Sequence, residues 1–249
     1  METGNLHFAE VKRREWPFFV VLLAFWAFLG ILLLTKGYGE AFVWIDQLQS
    51  SPLNWSSLHV FTNLGDGLIL PALVILFFWR RDPALVVSFL VAVVVTAAIT
   101  QFGKRVLFHD WARPIEYFAS RPEVAIYDQH ADHWNSFPSG HATSSAAGGV
   151  FFAWAAYTYK HWLPWLVGLL TVFICLTRVF IGAHFPGDVL VGSIIGSLGA
   201  FAVLTIVYPR VRNRLLGMKQ LSNPALGYLA LGFALLVIAG QFIRLFLKH

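Results

Sequence analysis

Long uncharged apolar runs are the feature that most limits what this chain can fold into. A helix needs about 20 apolar residues to cross the hydrocarbon layer of a bilayer, and runs of that order recur along the 249 residues, separated by short polar breaks. The composition agrees, because 57% of the residues are hydrophobic and only 12% are charged, against about 25% charged in soluble domains. The sequence therefore predicts an all-α, polytopic membrane helix bundle, formed as a single integral membrane domain over residues 1–249.

Apolar windows place the predicted helices of a six-helix core at 16–34, 64–79, 83–102, 141–159, 163–182 and 186–208. A further run at 224–243 is long enough to cross and is predicted as a seventh, C-terminal transmembrane helix. If the helices alternate, most cations fall on one side, which the positive-inside rule makes cytoplasmic. They are Lys12, Arg13, Arg14, Arg80, Arg81, Lys160, Arg210, Arg212, Arg214 and Lys219. Arg244 and Lys248 would emerge on the other side, which leaves the orientation of the C-terminus open.

The formal net charge of +5 does not indicate nucleic-acid binding, because no Lys/Arg run is interleaved with aromatic residues on a soluble surface. Membrane topology explains the cations better. Cys175 is the only cysteine and lies in an apolar run, so neither a disulfide framework nor a thiolate metal site is predicted within the chain. The expected partners are membrane lipids, and no obligatory protein partner is inferred.

Three polar segments fall at the opposite, non-cytoplasmic face. They are Lys104-Arg105 through Arg113-Pro114, Pro138 through His141, and Thr177-Arg178 followed by His184 and Asp188. Each lies where a predicted helix enters or leaves the bilayer, so segments that are distant in sequence can converge in one pocket. The connection at 104–137 is long for a loop without structure of its own, and such loops commonly act as lids or sites.

The third segment suits a nucleophilic histidine. His184 and Asp188 are separated by Phe185-Pro186-Gly187, and Pro186 favours the first turn of a helix. A carboxylate one turn away can accept the Nδ1 proton of His184, which fixes the tautomer and leaves Nε2 free to attack. The alternative interpretation is a structural histidine at a helix end.

The other two segments suit phosphate. Ser139 can cap a helix whose free amides and dipole attract an anion, Gly140 allows close backbone approach, and His141 can donate a proton to a leaving oxygen. Arg178 lies inside a predicted span, where a charge needs a partner, and its guanidinium offers paired donors either to an oxyanion or to Asp188. Lys104, Arg105 and Arg113 add positive charge at the same mouth.

A metal site was the competing interpretation of the loop. Imidazoles and carboxylates bind zinc or magnesium, and the loop contains His109, Asp110, Asp128, His130, Asp132 and His133. Their spacing matches no tight ligand pattern. The sequence therefore predicts a polar lid rim, with no metal and no cofactor.

Together the three segments resemble the signature of the type 2 phosphatidic acid phosphatase (PAP2) superfamily of membrane lipid phosphatases, over the whole six-helix core. The resemblance implies that His184 forms a phosphohistidine, that His141 is the general acid and that Asp188 orients His184, without metal. It also implies a set of phosphate ligands, namely Arg113, Ser139, Gly140, Arg178 and Lys104. More residues separate Lys104 from Arg113 than in the family's first motif, so either Lys104 or Arg105 fills the cation position.

The expected function is hydrolysis of a lipid phosphate monoester or diphosphate, such as a polyprenyl (undecaprenyl) diphosphate or phosphatidylglycerophosphate, lying in the bilayer. The resemblance implies an integral protein of a bacterial inner membrane with its site on the periplasmic face. Two alternatives stay open. One is a lipid phosphotransferase that uses a polyprenyl diphosphate as donor, and the other is a lipid transporter without chemistry.

Overall fold

The computed structural model describes residues 2–48, 55–124, 126–127, 132–217, 232 and 234–240. These ranges contain no β-strand, and up to residue 217 they form ten α-helices and one π-helical segment: α1 (Glu2–Lys36), α2 (Tyr38–Gln47), α3 (Trp55–Leu64), α4 (Ile69–Phe78), α5 (Pro83–Phe102), the π-helical segment (Gly103–Leu107), α6 (Pro114–Tyr117), α7 (Gly140–Tyr157), α8 (Leu163–Phe180), α9 (Pro186–Ile206) and α10 (Tyr208–Gly217). Within the described part, four stretches are long and apolar enough to cross a bilayer, His7–Lys36, Pro83–Leu107, Leu163–Phe180 and Pro186–Leu216. The predicted all-α membrane class is confirmed.

The helix predicted at 64–79 is shorter than expected. The helical structure stops at Leu64 and resumes at Ile69 as the ten-residue α4. Asp66 explains the interruption, because its carboxylate accepts the backbone N–H groups of Leu68 at 2.8 Å and Ile69 at 3.4 Å and so starts a new helix. Most of the helix predicted at 224–243 falls outside the described residues. The residues described within it, 232 and 234–240, are helical.

The centre of the bundle is the packing of α7 against α9. Gly192 of α9 lies against the Ser139 carbonyl, and Gly196 lies against the backbone of Thr143. A side chain at either glycine would overlap the α7 backbone, so the pair permits the close approach that small residues give to membrane helices. Helix α8 packs against α7, and α1 packs against α8. The beginnings of α7 and α9 are therefore held side by side.

The end of the bundle away from these helix starts carries many of the predicted cytoplasmic cations. Arg14 of α1 lies 4.4 Å from the centroid of the Trp154 ring near the end of α7. Arg81 donates a hydrogen bond to Tyr159. The hydroxyl of Tyr208, at the start of α10, donates to Asp82 at 2.6 Å. Cations that the sequence assigns to one face thus share one end of the molecule.

The opposite end is covered by α2 and by the described part of the connection at 104–137. Gly37, with φ of 78°, ends α1 and turns the chain into α2. Phe42 of α2 packs against Phe118, with ring centroids 5.5 Å apart, and against Phe185, at 5.8 Å. Arg121 donates to Glu40 at 2.6 Å. The cover is therefore fixed to the bundle by both aromatic and ionic contacts.

Candidate active site

His184 lies in the short connection between α8 and α9. The backbone N–H groups of Ala183 and His184 both donate to the carbonyl of Arg178, at 3.1 Å each, so the chain folds back over the end of α8. Gly182 makes this turn with φ of 76°. Pro186 then begins α9, as its ring geometry favours. His184 is held at the end of two packed helices and is 2% exposed.

Asp188 anchors the histidine. Its Oδ2 lies 3.1 Å from Nδ1 of His184 and accepts the backbone N–H of Phe185 at 3.1 Å, which also caps α9. Two hydroxyl groups donate to the same carboxylate, that of Ser136 to Oδ2 and that of Tyr38 to Oδ1. With both oxygens occupied, the carboxylate has one fixed orientation, and Nε2 of His184 is left free.

The electrostatics favour a neutral His184. Burial lowers the pKa of His184 well below its ordinary value, and the positive charges around the ring act in the same direction. These charges belong to Arg113, Lys104, Arg178 and, when protonated, His141. For Tyr38, burial and the adjacent Asp188 carboxylate raise the pKa, so its phenol stays a hydrogen-bond donor.

The start of α7 meets the start of α9. Ser139 is the N-cap of α7, accepting the N–H of Ala142 at 3.4 Å, and its own N–H donates to the backbone carbonyl of Asp188 at 3.0 Å. Gly140 and His141 form the first turn, with the helix dipole directed toward the same end. Nε2 of His141 lies 3.8 Å from Oδ2 of Asp66.

Two arginines approach from different elements. Arg178, near the end of α8 and 7% exposed, donates to the Thr62 hydroxyl of α3 at 2.9 Å. Arg113 precedes α6, and its guanidinium contacts the carbonyl of Trp134 at 3.2 Å and that of Ala183, next to His184, at 3.5 Å. Both cations act on the His184 ring.

Lys104 and Arg105 both lie in the π-helical segment, but their side chains have different surroundings. Nζ of Lys104 donates to the carbonyl of Asn135 at 3.2 Å, and its charge acts on both His184 and Asp188. Arg105 is exposed. The π turn closes from the N–H of Phe108 to the carbonyl of Gly103 at 2.9 Å. Lys104 is therefore the cation on the site side.

The eight residues predicted to be catalytic or to bind phosphate lie at one end of the bundle. They come from α7 and its N-cap, α8, the α8–α9 connection, α9, the π-helical segment and the loop before α6. Sequence reasoning missed four of their contacts, made by Tyr38, Thr62, Asp66 and Ser136. Ser136 could have been noticed in the sequence, because it lies two residues before Pro138 and close to the predicted helix cap at Ser139. The other three are brought in only by tertiary packing.

The loop histidines lie elsewhere. His133 pairs with Glu116 at 2.7 Å and His109 with Asp110 at 3.0 Å, in exposed positions. His130 and Asp128 lie outside the described residues. Among the residues that the structure describes, no group of three or more His, Cys, Asp or Glu side chains is arranged to hold a metal ion.

Several known proteins are similar to this chain. Undecaprenyl-diphosphatase of Sulfolobus acidocaldarius is 23% identical over 178 residues, covering 71% of this chain and 69% of that protein. Lipid A 1-phosphatase of Rhizobium etli is 36% identical over 104 residues, covering 41% of this chain and 38% of that protein. The crystal structure of Aquifex aeolicus LpxE matches with a TM-score of 0.48 and 22% identity, over 67% of this chain and 94% of that one.

A family model described as the PAP2 superfamily matches residues 85–212. That range is more than half of the chain and contains the helix starts, the π-helical segment and the His184–Asp188 pair described above. This integral membrane protein therefore belongs to the PAP2 superfamily.

Proposed function

We propose that this chain is a lipid phosphatase that hydrolyses a phosphate monoester or diphosphate of a membrane lipid through a phosphohistidine on His184. The observation that carries the proposal is the buried hydrogen bond between Nδ1 of His184 and Asp188. It leaves Nε2 as a fixed, neutral nucleophile beside three cations. The names of the relatives agree, since they include undecaprenyl-diphosphatase, lipid A phosphatases and sphingosine-1-phosphate phosphatase.

In the first step, Nε2 of His184 attacks phosphorus while the bond from phosphorus to the leaving oxygen breaks. The proton on His141 moves to that oxygen, so the lipid departs as an alcohol or as a protonated phosphate. Asp188 stabilises the imidazolium character that develops on His184. In this mechanism His184 is the nucleophile, His141 the general acid and Asp188 the orienting carboxylate.

In the second step, water attacks the phosphohistidine. Its oxygen bonds to phosphorus, the nitrogen–phosphorus bond breaks, and the water proton passes to His141, which restores the acid for the next cycle. The nitrogen lone pair returns to His184, and inorganic phosphate leaves. The proposed cycle needs no metal for either proton transfer.

The phosphate oxygens carry charge through both steps, and phosphoryl transfer depends mainly on positioning and on stabilising that charge. We assign this role to Arg113, Arg178 and Lys104, together with the cap at Ser139 and Gly140. Support comes from the convergence of the three cations on His184 and from the direct link between Ser139 and Asp188. The Ser139 hydroxyl, which accepts the cap hydrogen bond, still has its own proton to donate.

A cavity of about 240 Å³ between α5 and α7 supports a lipid substrate. It is lined by Gly140 and Ser144 on α7 and by Val93, Ala97 and Gln101 on α5, among others. Its threonine hydroxyls are already hydrogen bonded within the protein, as in the 3.1 Å contact from Thr100 to Thr143. The walls therefore suit the first segment of an apolar chain whose phosphate lies at Gly140.

We further propose that the protein lies in a bacterial inner membrane with the site on the periplasmic face. The support is the segregation of Arg14 and Arg81 to the end of the bundle opposite His184, which the positive-inside rule makes cytoplasmic.

The test is phosphate release by the purified protein from a polyprenyl diphosphate, phosphatidylglycerophosphate, phosphatidic acid and a lipid A phosphate, each presented alone. We expect turnover with at least one lipid, and its loss in His184→Ala. His109→Ala is the matched control, because His109 is an exposed histidine on the loop at the same end and should keep wild-type activity.

Near-normal turnover by His184→Ala with every lipid would contradict the mechanism. Phosphate transfer that requires a second lipid acceptor would identify a phosphotransferase. Binding of lipid without turnover, unaffected by vanadate, would identify a transporter.

A further inference from the structure

Asp66 lies beside His141 although it belongs to the turn between α3 and α4, outside the residues that match the family model. The two side chains are partly buried, 24% exposed for Asp66 and 29% for His141. Their separation of 3.8 Å is an ion-pair distance and is too long for a hydrogen bond. The carboxylate therefore lies within ion-pair range of the ring and forms no hydrogen bond with it.

The carboxylate is held in place by its own helix. Oδ1 of Asp66 accepts the N–H groups of Leu68 and Ile69 at the start of α4, at 2.8 and 3.4 Å. This cap fixes one oxygen and leaves Oδ2 toward His141. The position of the carboxylate is thus set by the backbone of α4.

Burial opposes the protonation of His141, and so do the remaining charges around it. They come from Lys104 on the π-helical segment, Arg113 on the loop before α6 and Arg178 on α8. His184 of the α8–α9 connection is the other titratable ring that faces it, with Asp188 behind that ring. Three cations disfavour an imidazolium in their midst. A general acid must nevertheless hold its proton before the substrate arrives.

We infer that Asp66 is a positioning residue whose negative charge favours the protonated form of His141 in the empty site. The inference rests on the proposed function in one respect, the role of His141 as general acid. The bound phosphate adds negative charge only after it enters, so before that point Asp66 is the nearest described carboxylate acting on this ring. Its effect is on the proton of His141 and not on the phosphate.

Asp66→Asn separates charge from structure. The amide oxygen can still accept the two backbone N–H groups that cap α4, while the charge is removed. We expect the titration of the His141 ring to move to lower pH by about 1 to 2 pH units, the usual effect of losing an adjacent opposite charge. The alkaline limb of kcat/KM, which reports the free enzyme, should move by the same amount, and Asp66→Glu should restore both.

The ring is followed by NMR of the full chain in detergent with labelled histidines, and the resonance absent from His141→Gln identifies it. Asp82→Asn is the matched control, because Asp82 also caps a helix, accepting from Leu85 N at 3.0 Å, but lies at the opposite end of the bundle. It should leave the His141 titration unchanged. If Asp66→Asn fails to fold, Asp66→Ser keeps a capping oxygen without charge and should give the same shift.

An unchanged His141 titration in either Asp66 variant would overturn the inference. The two proposals fail separately, because the NMR titration needs no turnover. A shifted titration in a wild-type protein that hydrolyses no lipid would leave the Asp66–His141 pairing intact and refute the phosphatase. Turnover with an unshifted titration would support the phosphatase and refute the role of Asp66.

Discussion

Asp188→Asn is the substitution that most directly tests the proposed chemistry. The native carboxylate accepts from Nδ1 of His184, from the hydroxyls of Ser136 and Tyr38, and from the N–H of Phe185. An amide has one accepting oxygen and one donating nitrogen, so it cannot satisfy four donors. His184 then loses the partner that fixes its tautomer, and the lone pair of Nε2 is no longer held toward phosphorus.

The expected loss follows from two contributions. A hydrogen bond to a charged group is worth about 1.5 to 3 kcal/mol, and a similar amount is lost when the imidazolium character that develops during attack has no carboxylate opposite it. The sum of about 3 to 6 kcal/mol corresponds to a decrease in kcat of about 10²- to 10⁴-fold. Asp188 is fully buried, so solvent cannot replace the missing charge.

The assay is phosphate release under saturating lipid, with gel filtration and thermal unfolding in detergent to confirm that the variant is folded. Asp82→Asn serves again as the control, since it makes the same change at a helix cap away from the site. A folded Asp188→Asn protein with kcat within about threefold of wild type, less than 1 kcal/mol in barrier, would refute the assigned role of Asp188.

Two further outcomes are expected. Tyr38→Phe removes one of the hydroxyl donors to Asp188 and leaves the aromatic packing on Phe185 in place. The loss of one hydrogen bond to a charged group, about 1.5 to 3 kcal/mol, should lower kcat about 10- to 150-fold with KM little changed. An unchanged kcat would show that the hydrogen bond does not matter for turnover. Because the pKa of His184 is lowered, the acidic limb of kcat/KM should lie below pH of about 6.5. The free energy of unfolding should fall as the pH drops below that value, since the unfolded chain then binds the proton first. Chemical denaturation in detergent across pH, with His184→Gln for comparison, measures this change in stability.

Helix positions could be predicted where local chemistry sets them. The predicted starts at 83, 163 and 186 match α5, α8 and α9, because a proline stands in the first turn of each helix. The prediction failed at 64–79, where a single capping carboxylate on Asp66 stops one helix and starts another. A hydropathy window averages over one polar residue, so it cannot register such a break.

The pairing of His184 with Asp188 follows from spacing, since residues four apart meet on one face once Pro186 starts the helix. Local spacing does not predict the other contacts of the site. Tyr38 reaches Asp188 across 150 residues of sequence, and Thr62 reaches Arg178 across 116. Such contacts depend on how α2 and α3 pack on the bundle, which neither periodicity nor a motif encodes.

The segment before residue 85 therefore takes part in the site, although the family model does not include it. Tyr38, Thr62 and Asp66 come from α2, α3 and the turn before α4, and they contact Asp188, Arg178 and His141 respectively. Each contact joins a residue within 85–212 to a hydrogen-bond partner or a charge from outside that range. Because a buried polar group that loses its partner costs about 1 to 3 kcal/mol, residues 85–212 alone would hold these three side chains less firmly than the chain does. The unit that forms the site thus extends back to α2.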